Sequence, residues 1–449
     1  MFSKKKLIFF LILLSLNNCS FDNKTGIWGD SEKEKIRISE LEKKQKEIIN
    51  IEKIYSSDSI FQKEKKLGKS IILSKPKNNQ EWRTTSLNLE NSIGNIYLPG
   101  ISNIFLKKKI GKDKFSTHNA MTPLLAFDNN IILSDDKGTI FNITKRGKVN
   151  WKKNIYKKVY KRIHKSLVFS ISENNIYVAD NIGFIYSIDI SNGNVLWIKN
   201  YAVPIKSNMK IFNNKIFLID QDNKILCFST KDGSLIWDFL SISSFIKSQN
   251  LLSLAVSKDG YLFAITSSAD VYKIKVDNGK IIWSRNSAES LYADSTDFFT
   301  SSEIVLNDDD IIFSSSFTMY SYDSNTGITN WKNDISSVAT PIVDGDNIFI
   351  VTENGYFAIL NKTSGKINSS VNILKVLKRK KQQTKVTGFI MGSGKIYAVT
   401  SIGFLLVSSA STGKVEYFKK IGEQNISPLI INNGELYILM KKSKIIGFN

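Results

Sequence analysis

The 449 residues predict an all-β chain folded as an eight-bladed β-propeller. Three observations carry that expectation. A Gly-x-x-x-Trp element recurs along the chain, its tryptophans 46, 40, 46 and 48 residues apart. Short apolar strands and Asn-Gly, Asp-Gly or Thr-Gly turns fill the intervals. Hydrophobic residues make up 42% of the chain, enough for a large core and far from a disordered composition.

Residues 1–18 read as an export signal. Lys4, Lys5 and Lys6 precede a ten-residue apolar run, Leu7 to Leu16, too short for a ~30 Å hydrocarbon core but suited to a signal peptide. Leu16-Asn-Asn-Cys19 resembles a bacterial lipobox, with Asn18 where that pattern has Gly or Ala. The resemblance implies a lipid on Cys19, and Ser20 in place of Asp behind it implies sorting to the outer membrane, facing the periplasm. Cys227, the remaining thiol, lies in the apolar stretch Lys224-Ile-Leu-Cys-Phe228 and is expected to act as a small buried hydrophobe. Residues 19–75, rich in Lys and Glu, are expected to form a lipidated tether, partly helical or disordered.

The propeller is expected over residues 76–449. Its complete cassettes end in Gly147-Lys-Val-Asn-Trp151, Gly193-Asn-Val-Leu-Trp197, Gly233-Ser-Leu-Ile-Trp237, Gly279-Lys-Ile-Ile-Trp283 and Gly327-Ile-Thr-Asn-Trp331. Two degenerate copies follow, Gly365-Lys-Ile-Asn-Ser369 and Gly413-Lys-Val-Glu-Tyr417. The turn pairs supply positive φ for tight hairpins, and alternation as in Ile185-Tyr-Ser-Ile-Asp189 puts one face into a core. Tryptophan then fills the space between neighbouring sheets. A small sheet cannot cover both its faces alone, so units repeating every 40 to 48 residues must stack side by side into a ring. After Tyr417 the chain ends one strand short of an eighth blade. Asn78-Asn-Gln-Glu-Trp82 carries Trp at the cassette spacing. An N-terminal strand around Trp82 is therefore expected to complete residues 426–449 and remove the open edge.

Composition narrows the chemistry. Two histidines, His118 and His164, and two cysteines argue against zinc, thiol-redox and Ser-His-Asp sites, and no metal site is expected. The net charge of +21 follows from lysine spread through the whole chain. It is read as solubility and compositional bias, with no nucleic-acid partner. Two cationic runs stand out: Lys152, Lys153, Lys157, Lys158, Lys161, Arg162 and Lys165, then Lys375, Lys378, Arg379, Lys380, Lys381 and Lys385. Both are read as solvated loops between blades, with anionic lipid or an acidic partner as the alternative.

The Gly-x-x-x-Trp cassettes resemble the quinoprotein-like (PQQ-type) propeller repeat. Together with the lipobox and eight blades, the chain is similar to the BamB family of outer-membrane β-barrel assembly lipoproteins. Glu81-Trp-Arg-Thr-Thr-Ser-Leu-Asn-Leu-Glu-Asn-Ser-Ile-Gly-Asn95 resembles the segment that opens the propeller in alphaproteobacterial members. The resemblance implies a scaffold without cofactor, one that binds the POTRA domains of BamA and serves unfolded outer-membrane proteins. Placed by distance from the cassette tryptophans, the implied partner contacts are Phe245 and Ile246 as apolar anchors, Lys247 as a clamp, and Asp294 and Asp297 as acceptors. The alternative is a PQQ-dependent dehydrogenase, which needs a calcium-coordinating Glu/Asn/Asp set, a catalytic Asp and commonly a Cys-Cys pair. No such pair exists, and Asp189, Asn192, Asp232, Asp277 and Asn278 fall where turns need them.

Overall fold

The computed structural model describes residue 39 and residues 61–68, 71–112, 124–241, 248, 251–287, 300–422, 429–440 and 443–449. The chain divides into two units, 1–60 and 61–449, and the second contains the propeller. It consists of eight antiparallel sheets of four strands each. Blades 1 to 7 span residues 125–153, 167–200, 210–240, 254–286, 305–333, 342–372 and 386–420, each a run of four consecutive strands.

Burial follows position in the blade. The middle strands have neighbouring blades on both faces and read as unbroken apolar runs; Ile216, Phe217, Leu218 and Ile219 are all fully buried. Outermost strands are covered on one side only. In Val195–Asn200, half-buried Trp197 alternates with exposed Leu196 and Ile198.

The cassette spacing has a geometric cause. Its glycine ends the turn before the outermost strand with φ between +65° and +81° in all seven copies. One extra residue then forms a β-bulge: Ile188 pairs with Val195 but Ser187 with Trp197, skipping Leu196. The same register shift recurs in blades 1 to 7, the degenerate copies included. It turns the tryptophan toward the next blade. There the indole lies against the next cassette's glycine: a Cβ built on Gly193, Gly233, Gly279 or Gly327 meets Trp151, Trp197, Trp237 or Trp283 at 2.6–2.9 Å, and Gly365 is covered as closely by Trp331. Each indole N–H donates to a carbonyl of that same neighbour, Trp151 to Ile190, Trp197 to Thr230, Trp237 to Val276, Trp283 to Ser324 and Trp331 to Lys362, at 2.7–3.1 Å. The motif is thus half of one blade's turn and half of a clasp on the next. Tyr417 holds the equivalent register in blade 7 but stays 44% exposed.

The eighth blade corrects one expectation. Its inner strands are Ile430–Asn432, Glu435–Met440 and Lys444–Phe448, and its outermost strand is N-terminal, as expected. That strand is Ile104–Lys109, however, with Lys107 opposite Ile446 and Lys109 opposite Lys444. It carries no tryptophan. Leu106 and Lys108 take the indole's place over Gly147 of blade 1, and Lys108 Nζ donates to the Gly147 carbonyl at 2.9 Å.

Trp82, 1% exposed, lies instead along the inner edge of blade 1, where its N–H and C=O pair with Ala126 at 2.8 and 3.0 Å. An aromatic residue at the right spacing is not a cassette without the glycine turn and bulge. Residues 79–98 run from there along the inward edges of the innermost strands. The Arg83 carbonyl accepts from Ile171 N–H, Thr84 Oγ1 donates to Met209, and the Leu89 and Glu90 carbonyls accept from Val256 and Leu306. Asn91 Nδ2 donates to both Leu254 and Ile304 carbonyls, Ser86 meets Thr340 at the start of blade 6, Ile96 pairs with Gly392, and Asn79 bonds Ile431. One segment therefore touches every blade from the axis. Upstream, Phe61 packs edge-on against Tyr356 and Lys65 pairs with Ser370 on the outer edge of blade 6.

Lys210 ties blade 3 to the axial segment. Fully buried, its ammonium donates to the Asn88 carbonyl at 2.8 Å and Asn91 Oδ1 at 2.5 Å. Burial lowers its pKa from 10.5 to about 8, with Glu303 opposing part of the shift. The folded chain then binds fewer protons than the unfolded chain between those values, so this group's contribution rises with pH there.

Two predictions follow from this packing. In urea unfolding, Trp331→Ala costs about 3 kcal/mol, and Gly365→Ala is also destabilising because its Cβ enters the indole. The double variant costs less than the sum. Gly260→Ala, with positive φ but nothing within 4 Å, costs about 1 kcal/mol; an equal effect at Gly260 and Gly365 contradicts the clasp. Measured from pH 8 to 9.5, wild type gains on the order of 1–2 kcal/mol relative to Lys210→Met; parallel curves contradict the buried ammonium.

Candidate partner-binding face

Antiparallel strands sort the connections onto two faces. Turns joining first to second and third to fourth strands share one; turns joining second to third strands share the other with the linkers between blades. The implied partner contacts belong to the linkers after blades 3 and 4. Phe245, Ile246, Lys247, Asp294 and Asp297 themselves, like Cys19, lie outside the described residues. The described residues that flank them, Ser241 and Ser248, then Ser287 and Thr300, are on the linker face.

On that face a cleft of about 320 Å³ opens between blades 2, 3 and 4. Asn181, Gln221, Asn223 and Ser267 line it from second-to-third-strand turns, and Pro204, Ile205, Lys206, Ser248 and Leu252 from the linkers. The walls are tied together. Asn223 Oδ1 accepts both the N–H and the hydroxyl of Ser267, at 3.0 and 2.9 Å, joining blades 3 and 4. Lys206 and Leu252 exchange backbone hydrogen bonds with each other's strands, Leu252 N–H to Lys206 at 2.8 Å and Asn208 N–H to Leu252 at 3.1 Å. Asn223 stands at φ +65°, a conformation asparagine tolerates, and is 1% exposed. Burial lowers the Lys206 pKa.

Acidic groups on this face serve the turns. Asp180 Oδ1 accepts the N–H groups of Ile182, Gly183 and Phe184 at 2.8–2.9 Å, and its Oδ2 accepts Tyr156 OH. Asp135 and Asp220 hold the matching turns of blades 1 and 3. Burial raises all three carboxyl pKa values, with these hydrogen bonds opposing the shift. Sequence reading passed over this trio, whose signal is an Asp at the end of the second strand three residues before Gly or Asn.

On the opposite face the turn assignments hold. Asp189 and Asp232 accept from Ser191 and Ser234, bonds that lower their pKa values, Asn192 and Asn278 accept from backbone N–H groups, and Asp277 pairs with Lys215. Cys227 is buried, as expected, its thiol pushed up to about 12 by desolvation.

The cationic runs are mixed. Lys152, Lys157, Lys158 and Arg162 are exposed, whereas Lys165 is buried over the Tyr156 ring at 5.1 Å. Lys375 pairs with Glu64 and Lys385 with Glu353. Side chains of Lys161 and 379–381, and all of His118, lie outside the described residues. Among the described residues no group of three or more His, Cys, Asp or Glu could hold a metal, and no helix is long and apolar enough to cross a membrane.

Eight four-stranded blades, five of whose junctions are Trp-on-Gly clasps, define a quinoprotein-like β-propeller, a class shared by scaffolds and enzymes. The structure resembles BamB from Moraxella catarrhalis, with a TM-score of 0.61 at 12% identity, covering 76% of this chain and 99% of that one. It resembles the quinohemoprotein alcohol dehydrogenase from Comamonas testosteroni comparably, with a TM-score of 0.63 at 9% identity over 82% of this chain and 80% of that one. These likenesses establish the fold. In sequence, the outer membrane protein assembly factor BamB of Moranella endobia (strain PCIT) is 20% identical over 297 residues, 60% of this chain and 71% of that protein. The family model described as outer membrane protein assembly factor BamB matches residues 136–371, and the chain belongs to that family.

Proposed function

We propose that this chain is a non-enzymatic scaffold of the outer-membrane β-barrel assembly machinery. A lipid on Cys19 holds it to the outer membrane, facing the periplasm. Its linker face engages the POTRA domains of BamA, with Phe245, Ile246 and Lys247 after blade 3 and Asp294 and Asp297 after blade 4, while unfolded outer-membrane proteins are inserted. Family membership over residues 136–371 is the observation that carries this reading.

The dehydrogenase alternative rests on the shared fold, and the residues do not fit a quinone site. The axial channel, the largest space that a ring of eight blades offers, is threaded by residues 79–98. The candidate Asp and Asn ligands are engaged in turns. Among the described residues no group of three or more His, Cys, Asp or Glu could supply the acidic side of a calcium site.

In a pull-down from membranes, BamA is expected to co-purify with wild type and to fall at least several-fold with Phe245→Ala/Ile246→Ala. Unaltered recovery removes that linker as the anchor, and absence of BamA with wild type contradicts the scaffold reading. Adding pyrroloquinoline quinone and calcium to the purified chain is expected to give neither saturable binding nor substrate oxidation; either result restores the enzyme.

A further inference from the structure

We propose that the rim of blades 7, 8 and 1, at its linker-face end, is a docking surface for the anionic headgroups of a lipid bilayer. This rests on the reading that a lipid on Cys19 holds the chain to a membrane, and it adds which side of the ring lies against that membrane.

The outermost strands set the charge. In every blade this strand runs toward the linker face, and the three positions after the clasp residue lie at that end. They read Phe418-Lys-Lys420 in blade 7, Lys107-Lys-Lys109 in blade 8 and Lys152-Lys-Asn154 in blade 1. In blades 2 to 6 the same positions carry Lys199, Arg285 and Lys332 against Asp238 and Asp334. Paired lysines therefore gather on three consecutive blades of the ring. Lys108 is spent on Gly147, but Lys107, Lys109, Lys152, Lys419 and Lys420 are exposed, and none of them forms an ion pair among the described residues. Lys109 stands directly opposite Lys444. Like charges so placed destabilise a sheet, and an anion between them removes the repulsion.

The carboxylates of these blades are engaged or remote. Glu416 pairs with Lys395 and Glu435 with Lys145, Asp135 holds its own turn, Asp136 attracts the ammonium of Lys165, and Asp128 is in a first-to-second-strand turn on the other face. In the neighbouring stretches outside the described residues, Asp113 and Glu423 are outweighed by Lys114, Lys441 and Lys442, so the balance stays positive.

Apolar side chains among the charges select a membrane over an acidic protein. Exposed Tyr417 and Phe418 precede Lys419. The linker after blade 1 forms a short 3₁₀ helix, Lys158–Arg162, on which Val159 is 74% exposed; exposed Ile163 follows it, and Lys157, Lys158 and Arg162 flank both. Apolar tips so placed enter the headgroup region while the ammonium groups meet phosphate. The chain also joins the ring beside this sector. Phe61 lies at the linker-face end of blade 6, its carbonyl accepting from Asn354 Nδ2 at 2.8 Å and its ring edge-on to Tyr356. The segment from Cys19 to that point can span up to ~140 Å when extended, so a lipid anchor permits the contact. Blades 3 and 4, whose linkers carry the proposed BamA contacts, are across the ring, and the two surfaces do not compete.

The test places a polarity-sensitive fluorophore on the full lipidated chain, at Val159→Cys or, in the outermost strand of blade 4, at Ile282→Cys. Cys227 is buried and does not compete for the label. Vesicles of phosphatidylcholine alone are compared with an equal mixture of phosphatidylcholine and phosphatidylglycerol. On the mixture the label at position 159 is expected to shift to the blue and to be quenched by brominated lipid, while the label at position 282 stays in water; on phosphatidylcholine alone neither moves. Lys107→Glu/Lys109→Glu/Lys152→Glu reverses exposed charges and leaves Lys108 in its clasp, and is expected to cut the shift by roughly tenfold or more. Equal shifts on both vesicles overturn the selection by charge, and equal shifts at both positions overturn the sector. No shift at position 159 on the mixture overturns the membrane, and saturable binding of poly-glutamate would then give the surface to an acidic protein. Flotation with phosphatidylcholine vesicles reads the Cys19 anchor separately, as the BamA pull-down reads the scaffold assignment.

Discussion

An indole resting on a bare Cα of the next sheet is the contact on which the rest of this molecule depends. A four-stranded blade exposes two apolar faces, and only another blade can cover each of them. The clasp makes that coverage specific. The glycine removes the one side chain that would hold the blades apart, and the indole N–H finds a carbonyl in the turn that the glycine terminates. Five junctions use tryptophan. At the junction from blade 6 to blade 7 Phe357 and Val371 face Gly413, and at the junction from blade 8 to blade 1 Leu106 and Lys108 face Gly147. At these seven junctions the glycine is therefore the constant half of the contact and the residue facing it the variable one.

A ring built this way has its inner strand edges unpaired around an axis. Here the chain answers that liability with its own residues 79–98, which bond successive blades from inside before the outermost strand of blade 8 forms from residues 104–109. The segment mixes backbone pairs and buried polar contacts, including the ammonium of Lys210, with the core side chains of Trp82, Ile96 and Leu98, so hydrogen bonds and apolar packing hold it together. The chain fills the axis of the ring with its own residues. Its two loop faces and its rim are the surfaces that remain open.

Much of this was legible in the sequence because the repeat is physical. Glycine at positive φ and a tryptophan four residues later report the turn, the bulge and the clasp together, so eight blades and an N-terminal closing strand could be read off. The identity of that strand could not. Ile104-Phe-Leu-Lys-Lys-Lys109 lacks tryptophan because Leu106 and Lys108 do the indole's work, while Trp82 mimicked the spacing without the preceding glycine. The cleft was equally hidden. Asn181, Lys206, Asn223 and Ser267 sit in four separate connections, brought together by ring geometry that no local pattern encodes.

The central claim is that the clasps and the N-terminal closure make one cooperative ring. Native-state hydrogen exchange in low denaturant tests it most directly. The account predicts that the slowest amides of blade 8, in Glu435–Met440 and Lys444–Phe448, exchange with the same opening free energy and denaturant dependence as those of blade 4, in Tyr261–Ile265 and Asp270–Lys275. Blade 8 opening as a separate unit, several kcal/mol below the rest, would contradict it.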